Sequence, residues 1–390
     1  MVFDVTAQKI TPKGQCIAHL SPESGKGGKA VFIPAAIPGE TLRVRITGEK
    51  RDWCSSRIVE VVESSLYRVA PACKWQPLCG GCDFMHIEGS HQVELKKQIL
   101  TSCLTRQGVD HPVIEVVTGE KTHYRCRFTL HDGGFVRRSS HEVAAVSSCL
   151  VATQQMNDYL AATPPAERVK GRCCVFASSL LERLAVPQAG KLPPQVALQS
   201  EREEDNRVAV RLLGKRVAFD VRGFFQSNME LLGKTVPLVT AGLKGRRAVD
   251  LYSGVGVFAL FLADSFDEVV AVERDERAAA LAKENLADKK ARVYGESTAL
   301  WCSRHTTAGG KARRFDAAVV DPPRGGMDKR TVRWLCSSGI GEIRSLSCDP
   351  ATHARDLRIL CDAGYKVSRL VLLDFLPQTS HVESLAYLTR

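Results

Sequence analysis

The chain has 390 residues, with 54 Lys and Arg against 43 Asp and Glu and a formal net charge of +11. That length is too great for one ordinary core, so two or three domains are expected, and the basic balance points to a polyanionic partner such as nucleic acid. The start MVFDVTAQKITPKGQ lacks the apolar run of a signal peptide and no stretch approaches the ~20 apolar residues of a membrane span, so the expectation is a cytoplasmic protein without membrane attachment. Its 14 cysteines are then expected as reduced thiols or metal ligands rather than disulfides. No obligate protein partner is inferred.

Residues 1–63 alternate apolar and polar positions between glycine and proline turns: FDVTAQKI, QCIAHL, KAVFIP, TLRVRITGEK and SSRIVEVVE. Five short strands of this kind predict a small antiparallel, OB-like barrel. Lys26, Lys29, Arg43, Arg45, Lys50 and Arg51 could line one groove, as in barrels that bind single-stranded nucleic acid, or be ordinary solvated charges.

Residues 64–225 open with PACKWQPLCGGCDFMH and a helical stretch, HQVELKKQILTSCLTRQG, and continue as an irregular, β-rich segment. Cys73, Cys79 and Cys82 lie close together, with paired glycines that let the chain turn tightly around an inorganic core. Zinc ribbons use two C-x2-C pairs, and this run lacks the first. A fourth ligand is needed, and spacing leaves Cys103, Cys126 and Cys149 open.

Residues 226–390 alternate strands with helices, which predicts a mostly parallel, doubly wound, Rossmann-like sheet whose ligands bind beyond the carboxyl ends of the strands. RRAVDLY runs into SGVGVFALFLA, so Gly254 and Gly256 form a tight turn before a helix N-terminus. Strand DEVVAVE ends about twenty residues later at Glu273, where a carboxylate can accept both hydroxyls of a ribose. The pair indicates an adenosine-containing cofactor, either NAD or S-adenosylmethionine. FDAAVVD ends in Asp321-Pro322-Pro323-Arg324-Gly325-Gly326 at the same edge. Enzymes that methylate exocyclic amines usually carry an aromatic residue where Arg324 stands, which argues against an amino target.

In SLSCDPATHARDL, Cys348 ends a buried strand, while Asp349 and Pro350 read as the N-cap and first turn of a helix that stops at Gly364. The helix dipole is expected to pull this thiol below the ~8.5 of a free cysteine. Packing is the rival explanation for one cysteine. It is weakened because the following loop, DFLPQTSHVESLAYL, brings Asp374, His381 and Glu383 to the same mouth.

With these residues in hand, the chain resembles the uracil-5 RNA methyltransferases over nearly its whole length. GKAVFIPAAIPGE resembles the RNA-binding TRAM barrel. CKWQPLCGGC resembles the cysteine run that holds a [4Fe-4S] cluster in ribosomal members. GFFQSN, DLYSGVG, DPPRGG, SCDPATHARDL and PQTSHVESL follow the catalytic motifs in order. The resemblance implies a TRAM barrel at 1–63, a central iron-sulfur domain at 64–225 and a methyltransferase domain at 226–390. It implies cluster ligands Cys73, Cys79, Cys82 and Cys149, S-adenosylmethionine contacts at Gln226, Tyr252, Glu273 and Asp321 beside Gly254 and Gly256, nucleophile Cys348 and base Glu383. Asp349 stands where asparagine is common, and Val257 and Ser297 where polar cofactor contacts are common. The implied substrate is a uridine in RNA, with 23S rRNA expected. The alternatives are a tRNA uracil-5 enzyme, an RNA cytosine-5 enzyme and a catalytically idle RNA-binding iron-sulfur protein. Cytosine enzymes place the nucleophile directly after proline, whereas Cys348 follows Ser347.

Overall fold

The computed structural model of the protein describes residues 1–21, 28–76, 78–138, 140–184, 193–201, 203–305 and 315–390. Lys26 lies outside these residues. The amino-terminal strands are β1 (Val2–Thr6), β2 (Lys9–Ile10), β3 (Cys16–His19), β4 (Ala30–Ile33), β5 (Thr41–Glu49) and β6 (Trp53–Glu63), in one sheet of order β1-β5-β6-β4-β3-β2. The expectation of a wholly antiparallel arrangement is corrected here, since β4 pairs with β6 in parallel. The segment between β4 and β6 contains the long strand β5, which hairpins with β6 and leaves β6's other edge for β4. Alternation turns Leu42 and Val44 inward and Arg45 outward.

Helix α1 (Gly89–Gln107) is closed by Gly108, whose φ of 65° is the left-handed conformation glycine adopts without strain. Strand β7 (Ile114–Val117) follows. The rest of the central region comprises β8 (Arg127–His131), β9 (Phe135–Val136), β10 (Val143–Ala144), α2 (Gln154–Ala162), β11 (Arg172–Ala177), β12 (Leu181–Arg183), β13 (Val196–Leu198), α3 (Glu203–Asn206), β14 (Arg207–Leu212) and β15 (Lys215–Asp220). These strands form three small antiparallel sheets.

The remaining elements are α4 (Met229–Thr240), β16 (Gly245–Leu251), α5 (Val257–Leu262), β17 (Phe266–Glu273), α6 (Glu276–Asn285), β18 (Ala291–Gly295), α7 (Thr298–Arg304), β19 (Ala317–Val320), α8 (Lys329–Ser337), β20 (Glu342–Ser347), α9 (Pro350–Asp362), β21 (Lys366–Leu373) and β22 (Glu383–Thr389). They build an eight-stranded sheet of order β18-β17-β16-β19-β20-β22-β21-β7. The expected strands and the mostly parallel pairing are present, with β22 antiparallel to both neighbours. β7, from ahead of residue 226, supplies the last strand, parallel to β21. Strands buried on both faces read as near-continuous apolar runs, as in AAVV of β19.

One apolar core runs without a break from the amino-terminal sheet (Val5, Leu42) through α1 (Leu95, Ile99) to α9 and β22 (Leu357, Leu388). Among the described residues no helix is long and apolar enough to cross a membrane.

Candidate active site

The carboxyl edge of the large sheet gathers the expected residues. After β16 the chain turns through Tyr252, Gly254 and Gly256, with φ of 62°, 54° and 81°. A Cβ at Gly254 would meet nothing within 4 Å, so this glycine borders open space, whereas one at Gly256 would press on Leu286 at 3.3 Å. Glu273 accepts the Gly254 N–H at 2.9 Å and the Asp275 N–H at 2.7 Å, which ties the end of β17 to the glycine turn. The Tyr252 hydroxyl donates to Asp328 at 3.0 Å. Gln226 is half-buried in the turn before α4. Two residues on, Asn228 donates to the Phe375 carbonyl at 3.1 Å, fastening that turn to the loop before β22.

Asp321, Cys348 and Glu383 stand at the ends of β19, β20 and β22. Burial pushes the Glu383 carboxyl up to about 8, with Asp321 and Asp374 adding to the rise and Lys96 and Arg324 opposing it. Burial also raises Asp321 to about 6. Asp349 caps α9 as expected, accepting the Ala351 and Thr352 N–H groups at 3.1 and 2.8 Å. The expected depression of the Cys348 thiol is not found. Burial and the Glu383 and Asp321 carboxylates push it up to about 11, outweighing Arg324 and a backbone hydrogen bond, which lower it. Arg324 reaches His381 at 3.4 Å, and burial lowers the His381 pKa, with Arg324 adding to the drop.

Several residues of this mouth escaped the sequence. Asp250 is fully buried, with one carboxylate oxygen on the Ala259 N–H at 2.9 Å and the other without a partner among the described residues. Burial, with Asp321 and Glu273 nearby, raises it to about 8. Its signal was a lone acid inside an apolar strand. Lys96, fully buried on α1, pairs with Asp374 at 2.6 Å, and a lysine in a helix gives no sign of that from spacing.

Cys73, Cys79, Cys82 and Cys149 line one cavity of about 630 Å³, together with Met85 and Arg125. Cys103 and Cys126 are buried elsewhere, and Cys126 donates to the Ser227 carbonyl at 3.1 Å. Burial and the other three thiols push Cys82 up to about 12. The Gly81 N–H reaches the Cys79 sulfur at 3.4 Å. A Cβ at Gly80 would lie 3.2 Å from the Arg138 backbone, which explains the first glycine of the pair. Asn157 accepts the Cys149 N–H at 2.8 Å and donates to its carbonyl at 3.0 Å, a support the sequence did not reveal. Among the described residues no three His, Cys, Asp or Glu side chains close into a group that could hold a single metal ion. The expected iron-sulfur centre is therefore not supported by a ready-made metal site.

The model of the tRNA (uracil-5-)-methyltransferase family matches residues 301–390, and that of the methyltransferase small domain residues 229–333. An RNA methyltransferase of Treponema denticola is 31% identical over 98% of this chain and 97% of its own length. The 23S rRNA (uracil(1939)-C(5))-methyltransferase RlmD of Shewanella amazonensis is 30% identical over 97% of this chain and 95% of its own. The crystal structure of Pyrococcus abyssi tRNA (uracil-54, C5)-methyltransferase in complex with S-adenosyl-L-homocysteine shares the fold, with a TM-score of 0.72 and 21% identity over 99% of this chain and 100% of that one. With full-length relatives at this identity, and the strand-end residues gathered at one mouth, the chain belongs to the uracil-5 RNA methyltransferase family.

Proposed function

We propose that the protein methylates carbon 5 of a uridine in 23S rRNA, using S-adenosylmethionine, through a covalent bond to Cys348. The carrying observation is that Cys348 and the half-buried Glu383 flank the paired residues Ser347 and Ser384 of β20 and β22, at the mouth beside the glycine turn. The ribosomal RNA assignment is supported by the full-length similarity to RlmD enzymes.

Uracil carbon 5 is too weak a nucleophile to attack a sulfonium methyl. Cys348 gives up its thiol proton to water at the mouth and its sulfur bonds to carbon 6, while the carbon 5–carbon 6 π pair shifts toward the carbon 4 carbonyl and makes carbon 5 enolate-like. Gln226, Tyr252, Gly254, Gly256, Glu273 and Asp321 would hold S-adenosylmethionine, which supplies the methyl group. After transfer, Glu383 takes the carbon 5 proton, the electron pair restores the ring double bond, and Cys348 leaves as thiolate. The base must first be turned out of its stack, at a cost of a few kcal/mol met by contacts along the RNA. The basic amino-terminal sheet, as a TRAM module at residues 1–63, serves that grip, ahead of a central domain to about residue 225 and the methyltransferase domain from 226. The cytoplasm is the expected setting.

Cys73, Cys79, Cys82 and Cys149 would hold a [4Fe-4S] cluster, which supplies a rigid inorganic crosslink. The fit rests on four thiols facing one cavity. Anaerobically purified protein should be brown, with iron and acid-labile sulfide in equal amounts. Colourless protein with stoichiometric zinc would overturn the cluster.

The mechanism is tested with Glu383→Gln, which should accept the methyl group yet stay attached to methylated RNA. The adduct should survive denaturing electrophoresis and vanish in the Cys348→Ala, Glu383→Gln double variant. Turnover by Cys348→Ala alone would end the covalent scheme.

A further inference from the structure

Lys96 is 0% exposed in the middle of α1, with its ammonium 2.6 Å from Asp374 and 3.0 Å from the Leu376 carbonyl. Both partners belong to the loop that ends at Glu383. One helical turn earlier, Gln92 grips the same loop, donating to the Gln378 side chain at 3.0 Å and accepting the Gln378 N–H at 3.0 Å. Four residues apart, Gln92 and Lys96 share a helix face. A buried ion pair is weak support for a fold, because an apolar pair of similar volume commonly serves as well. A cation kept there needs another reason.

The surroundings supply one. Glu383 is faced by the carboxylates of Asp321 and Asp374, by the Cys348 thiol, and by the cations Lys96 and Arg324. Arg324 is exposed on the DPPRGG turn, so Lys96 is the buried cation of the set. We infer that Lys96 is a positioning residue for the proton-removal step: through Asp374 and Leu376 it holds the loop that presents Glu383, and its charge opposes the negative charge that Asp321 and Asp374 bring to that residue. This rests on the uracil-5 reading above. Burial raises the Glu383 carboxyl and Lys96 opposes that rise, so loss of the cation leaves less of the base ionised at neutral pH.

The test uses the full-length protein and undermethylated 23S rRNA tritiated at uridine carbon 5, and follows tritium release against pH. In Lys96→Met, release should fall about tenfold near pH 7, and its pH profile should move up by about 1 unit. The methylated covalent adduct should accumulate while S-adenosylmethionine binding is kept. Removing the Asp374 charge as well, in Lys96→Met, Asp374→Asn, should bring the profile back toward wild type, since one carboxylate fewer then opposes ionisation. This neutral pair also guards against a single variant that fails to fold. Wild-type release with an unmoved profile in folded Lys96→Met, a double variant whose profile lies no nearer wild type than that of Lys96→Met, or an equal loss at every pH in either folded variant, would overturn the role of Lys96. A wild-type enzyme that makes no 5-methyluridine would instead sink the parent reading, and this inference with it.

Discussion

Asp83 accepts both the backbone N–H and the hydroxyl of Ser380, at 2.8 and 2.6 Å. Asp83 follows Cys82 directly and Ser380 stands three residues before Glu383, so two hydrogen bonds tie the chain beside the cysteine cavity to the loop before Glu383. Hydrogen bonds to a charged group contribute roughly 1.5–3 kcal/mol each. Asp83→Ala should therefore raise amide exchange across residues 376–382 and slow methylation about tenfold or more, without unfolding the protein. Unchanged exchange in that loop would mean the carboxylate does not order it.

Gly14 packs on the same joint. Its φ is +74°, and a Cβ there would meet Ser380 Cβ at 2.5 Å and Asp83 Oδ2 at 2.8 Å. Gly14→Ala should cost about 1–3 kcal/mol through strain and displacement together. Because the displaced atoms lie in the base loop, activity should fall further than the shift in thermal midpoint explains, measured by methyl transfer beside calorimetry.

Glu383 gives stability a pH dependence with a definite sign. Its folded pKa of about 8 lies above the usual 4.5, so the folded state holds the extra proton between those values. Its contribution is present below the unfolded pKa and is lost as pH rises through about 8. Glu383→Gln should be more stable than wild type at pH 9, by on the order of 1 kcal/mol, and no more stable at pH 5. Denaturant melts at the two values check this.

His86 gives the opposite limb. It is 4% exposed, and burial, with Arg68 adding to the drop, lowers its pKa to about 4 against the Ala36 backbone, which raises it. With the folded pKa below the ordinary 6.5, the unfolded state binds the extra proton, so stability is lost as pH falls from 6.5 through 4. His86→Leu should unfold at lower pH than wild type and be no less stable at pH 7. His353, lowered to about 4 and hydrogen-bonded to Ser384 at 2.7 Å, keeps part of the acid limb.

Arg45 and Arg57 face each other across β5 and β6, both exposed and without an ion pair among the described residues. Like charges directly opposite are destabilising unless something anionic lies over them. Lys29 and Arg43 are by contrast paired, with Glu49 and Asp4. Replacing Arg45 and Arg57 by Ala should weaken RNA binding and lower its salt slope by about 1.5, with S-adenosylmethionine affinity unchanged.

The catalytic sheet was legible because its strands are apolar runs ended by glycine, proline and acidic residues, and a strand end in such a sheet fixes where its last side chain goes. Glu273, Asp321 and Cys348 could be placed that way, whereas Glu383 opens β22 and was reached through the loop before it and the family resemblance. The amino-terminal pairing was not legible, since alternation gives which face a residue takes but not which neighbour a strand meets, and β4 meets β6 in parallel. The Cys348 thiol shows the same limit. A helix start is visible in sequence, but the burial that chiefly raises the thiol, and the Glu383 and Asp321 carboxylates that add to it, come from packing of distant segments. Lys96 and β7 join the site from far upstream, and no local pattern records a contact spanning 278 residues.

β22 lies inside the sheet, between β20 and β21, although it is the last of the eight strands to be synthesised. Until it inserts, a growing chain holds two partial sheets, each presenting an unpaired strand edge, the kind of surface that recruits other chains. Glu383, the proposed base, arrives on that same final strand, so closing the sheet also brings in the residue assigned to proton removal, and a nascent chain without β22 lacks it.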